Sequence, residues 1–378
     1  MTPTNPEASL IVNTFEKPRH LSLVLESIAR QEGVDGAFEL IVTDDGSTDD
    51  TREIVESFAR SSPFRVAFTT LPHDGFQLAR NRNQGVKLAQ GRTLLFLDGD
   101  CVLPRDHVAA HLARRRPGRA LLCFCARLGE AESRSIDASD LTPRTVAGLT
   151  SASERAALRS RHRKIVWYSL IRHRTKPRLA GGNFSVWRAD YERVNGFDER
   201  FRGWGQEDDD LGLRLRAAGV KLESILDRTF TLHVWHPTDP TATKRWRDGA
   251  NVAYFHRRGR LTVCREGLVH RPLESLRWRL PADLEATQLG RTVRDLLGEA
   301  SRRERPVDGR PEIDLVVRPG TGRFEGRSDC RMLVTAEPAA RITQHADVVV
   351  DVHSGVHSDA DSGEPAVERL RARIDAAV

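Results

Sequence analysis

Thr93-Leu94-Leu95-Phe96-Leu97-Asp98-Gly99-Asp100 places a short apolar run directly before two carboxylates that stand one residue apart. The run reads as a buried strand and the acidic triplet as the turn that ends it. Two carboxylates at such a turn can hold a hard divalent cation and leave positions open for water and diphosphate oxygens. A cation held there would stabilise charge building on a diphosphate leaving group. A plain strand-to-turn Asp pair, common in loops, is the other reading of the triplet alone.

Working outward, the same alternation repeats. Leu10-Ile11-Val12 reads as a strand, and Pro18 to Gln31 as an amphipathic helix with Leu21, Val24, Leu25 and Ile28 on one face. Glu39 to Thr43 is a strand running into Asp44-Asp45-Gly46-Ser47, after which Ser47 or Thr48 is expected to cap a helix to about Arg60. Phe64 to Thr70 is a third strand and Phe76 to Gln90 a helix. Beyond the opening stretch, Pro104 is expected to open a helix and Ala120 to Ala126 to form a fifth strand. Strands separated by helices of this length predict an α/β fold, an αβα sandwich around a mostly parallel sheet. Ligands of such sheets bind at the carboxyl ends of the strands, where both acidic turns lie.

Three later stretches carry chemistry. Ala180-Gly181-Gly182-Asn183-Phe184-Ser185 lets a glycine-rich backbone approach a ligand closely. Gly196-Phe197-Asp198-Glu199 precedes Gly203-Trp204-Gly205-Gln206-Glu207-Asp208-Asp209-Asp210, which opens a helix ending near Gly219. Acids at a helix N-terminus complement its dipole, which accounts for some of them. It does not account for the Trp between two glycines. An indole face is a platform for a sugar ring, and a neighbouring carboxylate can deprotonate a hydroxyl. Leu232-His233-Val234-Trp235-His236-Pro237 follows, with two histidines of metal-ligating type.

In order and spacing these motifs resemble the family 2 glycosyltransferases of GT-A fold. The stretch from Gly203 to Asp210 resembles the acceptor and catalytic segment of β1,4-galactosyltransferases and chondroitin-polymerase-like enzymes, which often have a glycine at the position of Gln206. The resemblance covers residues 8 to 240. It implies that Thr14, Phe15, Asp44 and Asp45 hold the nucleoside, with Arg80 near the diphosphate and Asp98 on the donor. It implies Asp100 and a downstream His, His233 or His236, as ligands of Mn2+ (or Mg2+); imidazole suits manganese better. Asp208 becomes the general base, Glu207 an acceptor-hydroxyl ligand, and Trp204, Gly182 and Asn183 part of the acceptor site. The implied reaction is an inverting, non-processive transfer from a nucleotide-sugar donor, UDP-linked by family habit, to a glycan or lipid-linked acceptor, as in polysaccharide biosynthesis. A decayed sugar-nucleotide binder and a nucleotidyltransferase are the alternatives. Against the first, every expected acidic position is filled. Against the second, Thr14-Phe15-Glu16-Lys17-Pro18 is not a Gly-rich, basic phosphate loop.

The expected organisation is a GT-A domain over residues 1–262 and an extension of unknown role over 263–378. The domain divides into a nucleotide-binding half (8–129), a basic insertion (130–178) and an acceptor half (179–240). From Arg159 to Arg178 the insertion carries eight Lys or Arg residues and no acid. Its Ile165, Val166, Trp167, Leu170 and Ile171 form an apolar face, either packed on the domain or resting on an anionic membrane. The net charge of +6 permits anionic partners, but aromatic residues are 6% and no nucleic-acid motif occurs, so no nucleic acid is expected. Five cysteines with no CxxC pair point to a cytoplasmic protein without structural zinc. Met1 to Ser9 has no apolar leader segment, and no apolar run approaches the roughly 18 residues of a membrane span. Lys244-Arg245-Trp246 has Ala242 where a QxxRW motif of processive synthases needs Gln.

Overall fold

The computed structural model describes residues 6–34, 37–179, 182–237, 247–257, 259–280, 288–297, 312–318, 328–335, 346–351 and 366–378. Two compact units divide the chain, Met1–Phe255 and His256–Val378. The first opens with β1 (Ala8–Thr14), α1 (Pro18–Ala29), β2 (Phe38–Asp44), α2 (Thr51–Ser61), β3 (Val66–Thr70), α3 (Leu78–Leu88) and β4 (Thr93–Asp98). It continues through β5 (Cys101–Val102), α4 (His107–Arg114), β6 (Arg119–Leu122), β7 (Cys125–Arg127), α5 (Glu130–Ser135), α6 (Pro143–Leu149) and α7 (Ala152–Leu170). It closes with β8 (Phe184–Trp187), α8 (Arg188–Arg193), α9 (Glu207–Ala217), β9 (Lys221–Ser224), β10 (Thr231–His233) and α10 (Ala250–Phe255).

The main sheet runs β3-β2-β1-β4-β8-β6-β9. Every pairing in it is parallel except the two made by β8. All seven residues of β2 are buried, as a central strand covered on both faces requires. Leu21, Val24, Leu25 and Ile28 of α1 face the core, at the spacing read from the sequence. The α/β sandwich with a mostly parallel sheet is therefore as expected.

Several boundaries differ. Ala120 to Ala126 is not one strand: β6 joins the main sheet, whereas β7 joins a three-stranded sheet ordered β5-β10-β7. The chain changes sheets at Cys123 and Phe124, where the Cys123 amide donates to Asn183 and the Phe124 carbonyl accepts from Thr231. Neither Ser47 nor Thr48 caps α2. Ser47 closes a turn onto Asp44, Thr48 bonds the Glu16 carboxylate, and Asp50 takes the N-cap position without a side-chain bond. Pro104 lies three residues ahead of α4, because its carbonyl closes a turn with the His107 amide before the helical ladder begins. Of the apolar face of the basic insertion, only Ile165 is buried; Val166, Trp167, Leu170 and Ile171 are exposed, so this face does not pack on the domain. No described helix is long and apolar enough to cross a membrane.

The second unit has its own parallel sheet of β11 (Trp278–Arg279), β12 (Ile313–Arg318), β13 (Cys330–Thr335) and β14 (Val348–Asp351), in that order. With α11 (Gln288–Leu297) and α12 (Ala366–Ala377) it encloses a separate core that includes Leu296, Leu315, Met332, Val334 and Ile374.

Candidate active site

A cavity of about 680 Å³ opens at the carboxyl ends of β1 and β4. Ladder geometry assembles one wall. The Asp98-Gly99-Asp100 turn is pinned to β1 by Gly99 N donating to Asn13 O at 2.8 Å. A β-carbon on Gly99 would lie 2.7 Å from that carbonyl, so the close approach requires glycine. The chain then enters β5, which pairs antiparallel with β10 so that Cys101 opposes His233. The Val234 amide donates to Asp100 O at 2.8 Å, fixing the histidine stretch against the acidic turn.

The outcome is a cluster of Asp100, His233 and His236 with one ligand atom from each within 4.8 Å of the others. His236 Nε2 is 3.3 Å and His233 Nε2 3.6 Å from the Asp100 carboxylate, so both candidate histidines reach it. Lys17 Nζ donates to Asp100 Oδ2 at 2.9 Å. Burial disfavours the Asp100 charge, but the His236 hydrogen bond and the Lys17 and His233 charges outweigh it and hold the carboxyl below its usual range. The Asp100 bond raises His236, whereas burial lowers His233. One carboxylate and two imidazoles at this separation are a donor set fit for a divalent transition metal such as manganese.

The opposite wall is built by α3 and the first turn of α9. Arg82 is buried and its guanidinium bridges two carboxylates, donating to Asp208 Oδ1 at 2.7 Å and Asp98 Oδ1 at 3.1 Å. Its Cζ lies 5.2 Å from the centroid of the Phe197 ring. Breaking such a pair by removing one partner costs roughly 3–5 kcal/mol, because the surviving charge stays desolvated. Beside it, Glu207 is pushed up to about 8, first by burial and then by the Asp208 charge, and its Oε2 has no hydrogen-bond partner among the described residues. The other two acids have structural partners. Asp209 pairs with Arg178 at 2.9 Å. Asp210 and Arg214 form a fully buried pair at 2.6 Å, with Arg214 donating onward to Val194 and Gly196 carbonyls.

Comparison with known proteins places this arrangement. Residues 9–177 match Glycosyl transferase family 2, and residues 161–236 match the N-terminal domain of galactosyltransferase. The part of the chain that carries the site is similar to the family 2 glycosyltransferases. It is 32% identical to validoxylamine A glucosyltransferase of Streptomyces hygroscopicus subsp. limoneus over 57% of this chain and 49% of that one. It is 24% identical to chondroitin synthase of Escherichia coli over 57% of this chain and 33% of that protein. The chain spans about half the length of the first curated relatives it matches. Among solved structures it resembles the mannosyltransferase PcManGT of Pyrobaculum calidifontis, at TM-score 0.47 and 19% identity over 64% of this chain and 61% of that one.

The residues expected at the nucleoside end separate in the structure. Thr14, Phe15 and Asp45 line the cavity. Thr14 Oγ1 is buried without a partner among the described residues, and Phe15 stacks on His73 at 4.3 Å between ring centroids. Asp45 accepts from the Gln77 amide and side chain at 3.2 Å, and burial raises it. Asp44 does not line the cavity: its two oxygens are taken by Gly46, Ser47 and Thr70, which makes it the anchor of the turn. Arg80 is exposed and bonds Gln77, so Arg82 and not Arg80 reaches the site.

The acceptor-side residues separate too. Trp204 stands half-exposed at the cavity wall. Gln206 lines the cavity with φ 77, and Gly203 and Gly205 are also left-handed, at 81 and 97. A glycine at the position of Gln206 would suit this backbone. Gly182 also lines the cavity, but its missing side chain makes room for protein: a β-carbon would lie 1.9 Å from Asp98 Oδ1. Asn183 does not reach the cavity. It is buried and donates to Thr231 Oγ1 at 2.8 Å. Ala180, Gly181 and the Ala242 to Trp246 stretch lie outside the described residues. Lys17, Arg82, Arg127 and Arg178 line the cavity without having been singled out from the sequence. For Arg82 the signal was present, since Ala79, Arg82, Asn83 and Val86 recur at helical spacing on the buried face of α3.

Proposed function

We propose that the chain is an inverting, metal-dependent glycosyltransferase that moves a sugar from a nucleotide-diphosphate donor to a hydroxyl of a glycan or lipid-linked acceptor. One observation carries this reading. A single buried guanidinium holds the Asp208 and Asp98 carboxylates in the cavity that also contains the Asp100–His233–His236 cluster. Asp208 has one oxygen committed to Arg82. It would take the acceptor proton as the hydroxyl attacks the anomeric carbon and the nucleoside diphosphate departs. Glu207, largely neutral near pH 7, offers a hydrogen bond to the acceptor hydroxyl, and Trp204 a face for its ring. Asp100, His233 and His236 would hold Mn2+ (or Mg2+), which when bound neutralises charge on the departing diphosphate.

Thr14, Phe15 and Asp45 form the nucleoside end, and the uridine base follows from the family resemblance. Residues 1–262 form the transferase domain, with 8–129 serving the donor and 179–240 the acceptor. The cytoplasm is the compartment in keeping with five cysteines and no CxxC pair. Non-processive transfer accords with the missing Gln of the QxxRW pattern.

The test is release of nucleoside diphosphate from a panel of UDP- and GDP-sugars, with and without manganese. Manganese-dependent release from at least one donor is expected, abolished in Asp100→Ala and in the paired His233→Ala, His236→Ala variant. Calorimetry showing donor affinity unaffected by manganese or by these changes would remove the metal from the reading.

A further inference from the structure

The carboxyl end of α7 is turned inside out. Its polar side chains face the protein: His162 Nδ1 lies 3.0 Å from Ser224 Oγ, and Ser169 Oγ donates to the Leu222 carbonyl at 3.3 Å. Both partners belong to β9. Its large apolar side chains face outward, with Trp167 59%, Leu170 73%, Ile171 47% and Val166 41% exposed. An ordinary surface helix buries its apolar stripe. Here the helix buries Leu158 and Ile165 and is otherwise fastened by polar side chains, and a run of large apolar side chains is left without protein cover.

Cations surround the patch. Arg163, Lys164, Arg172 and Arg174 are exposed, and no acid occurs between Arg159 and Arg178. Glu223, the acid on β9, is paired with Arg119. The segment after the helix is held rather than loose, since Arg216 donates to the carbonyls of His173 and Pro177. Apolar side chains including a tryptophan, framed by basic ones on a fixed support, match a lipid surface with anionic headgroups. The apolar groups enter the acyl boundary, the indole suits the interface, and the cations stay with the headgroups.

We propose that the carboxyl end of α7 docks the protein on an anionic membrane, with Trp167 and Leu170 inserted and Arg163, Lys164, Arg172 and Arg174 at the headgroups. The docked segment leads within a few residues to Arg178 and Leu179 of the cavity wall, so docking brings that wall to the lipid surface. The proposal does not rest on the transfer chemistry. It stands or falls by binding, whereas nucleotide release from a soluble donor reports the transferase reading alone.

The test is co-sedimentation of the full chain with phosphatidylcholine vesicles and with vesicles containing phosphatidylglycerol, at low and raised salt. Binding is expected only to the anionic vesicles and is expected to weaken with salt. The Trp167→Ser, Leu170→Ser pair and the Arg163→Gln, Lys164→Gln pair should each weaken it by about tenfold or more. Circular dichroism and donor hydrolysis should remain as in the parent, which shows that the variants fold. Equal binding to both vesicle types, binding to neither, or undiminished binding by both folded variants would overturn the proposal. So would a concentration-dependent dimer lost in Leu170→Ser, which would give the patch to a second copy of the chain.

Discussion

The proposed base must keep its charge available and its oxygen aimed, and Asp208 and Glu207 divide these requirements unequally. Asp208 faces the buried guanidinium of Arg82 at 2.7 Å, which compensates its charge and fixes its orientation. Glu207 has no such pair among the described residues and is pushed up to about 8 by burial and by Asp208. Asp208→Asn is therefore expected to retain donor binding and lose at least about two orders of magnitude in transfer. Single-turnover kinetics beside a donor titration would show it, and near-normal turnover would move the base elsewhere. Glu207 makes a separate prediction for stability. Between its ordinary value of 4.5 and about 8 the native state keeps a proton that the unfolded state releases, so stability falls as pH rises through that window. The contribution is on the order of 1 kcal/mol per pH unit at most. Glu207→Gln should flatten the pH dependence of denaturation midpoints between about pH 5 and pH 8, measured against the parent.

At the scale of elements, the site depends on where strands end and which helix face turns inward. The alternation of strands and helices was legible because central parallel strands are buried on both faces and read as unbroken apolar runs. The acidic turns were legible because they follow those runs directly. The split of Ala120 to Ala126 between two sheets was not, since an apolar run carries no mark of the sheet it joins. The Asn183 side chain was misread because a glycine-rich motif does not reveal which way its neighbour points. Gly182 shows the same limit, and it is testable. A β-carbon there would stand 1.9 Å from Asp98 Oδ1, while the Asp98 side chain is one-third exposed and free to swing outward. Gly182→Ala should displace the carboxylate from Arg82 and lower the melting temperature, because the buried guanidinium loses one of its two partners. A displacement of that order costs about a hundredfold in turnover. A folded variant with parental turnover would show that the Asp98 position does not matter.

At the scale of the molecule, two units carry two cores. In the first, Leu10, Val12, Leu40, Leu95 and Leu97 of the sheet pack with Leu21, Val24 and Ile28 of α1. In the second, Ile313, Leu315, Met332 and Val334 pack with Val293, Leu296 and Ile374. The sequence marked only scattered strand-like runs beyond residue 262, because the second sheet is built from short strands far apart in the chain. A unit with its own core and sheet meets the physical condition for folding alone. Every residue assigned here to the donor, the metal cluster or the acceptor lies in the first unit. A chain ending at residue 255 should therefore unfold cooperatively on heating and keep manganese-dependent release of nucleoside diphosphate. Calorimetry and the same release assay on the shortened and full chains check this. If the shortened chain folds cooperatively yet releases nothing, the second unit supplies a group that the chemistry needs. If it fails to fold, the first core depends on the second for stability, and the two would have to be treated as one domain.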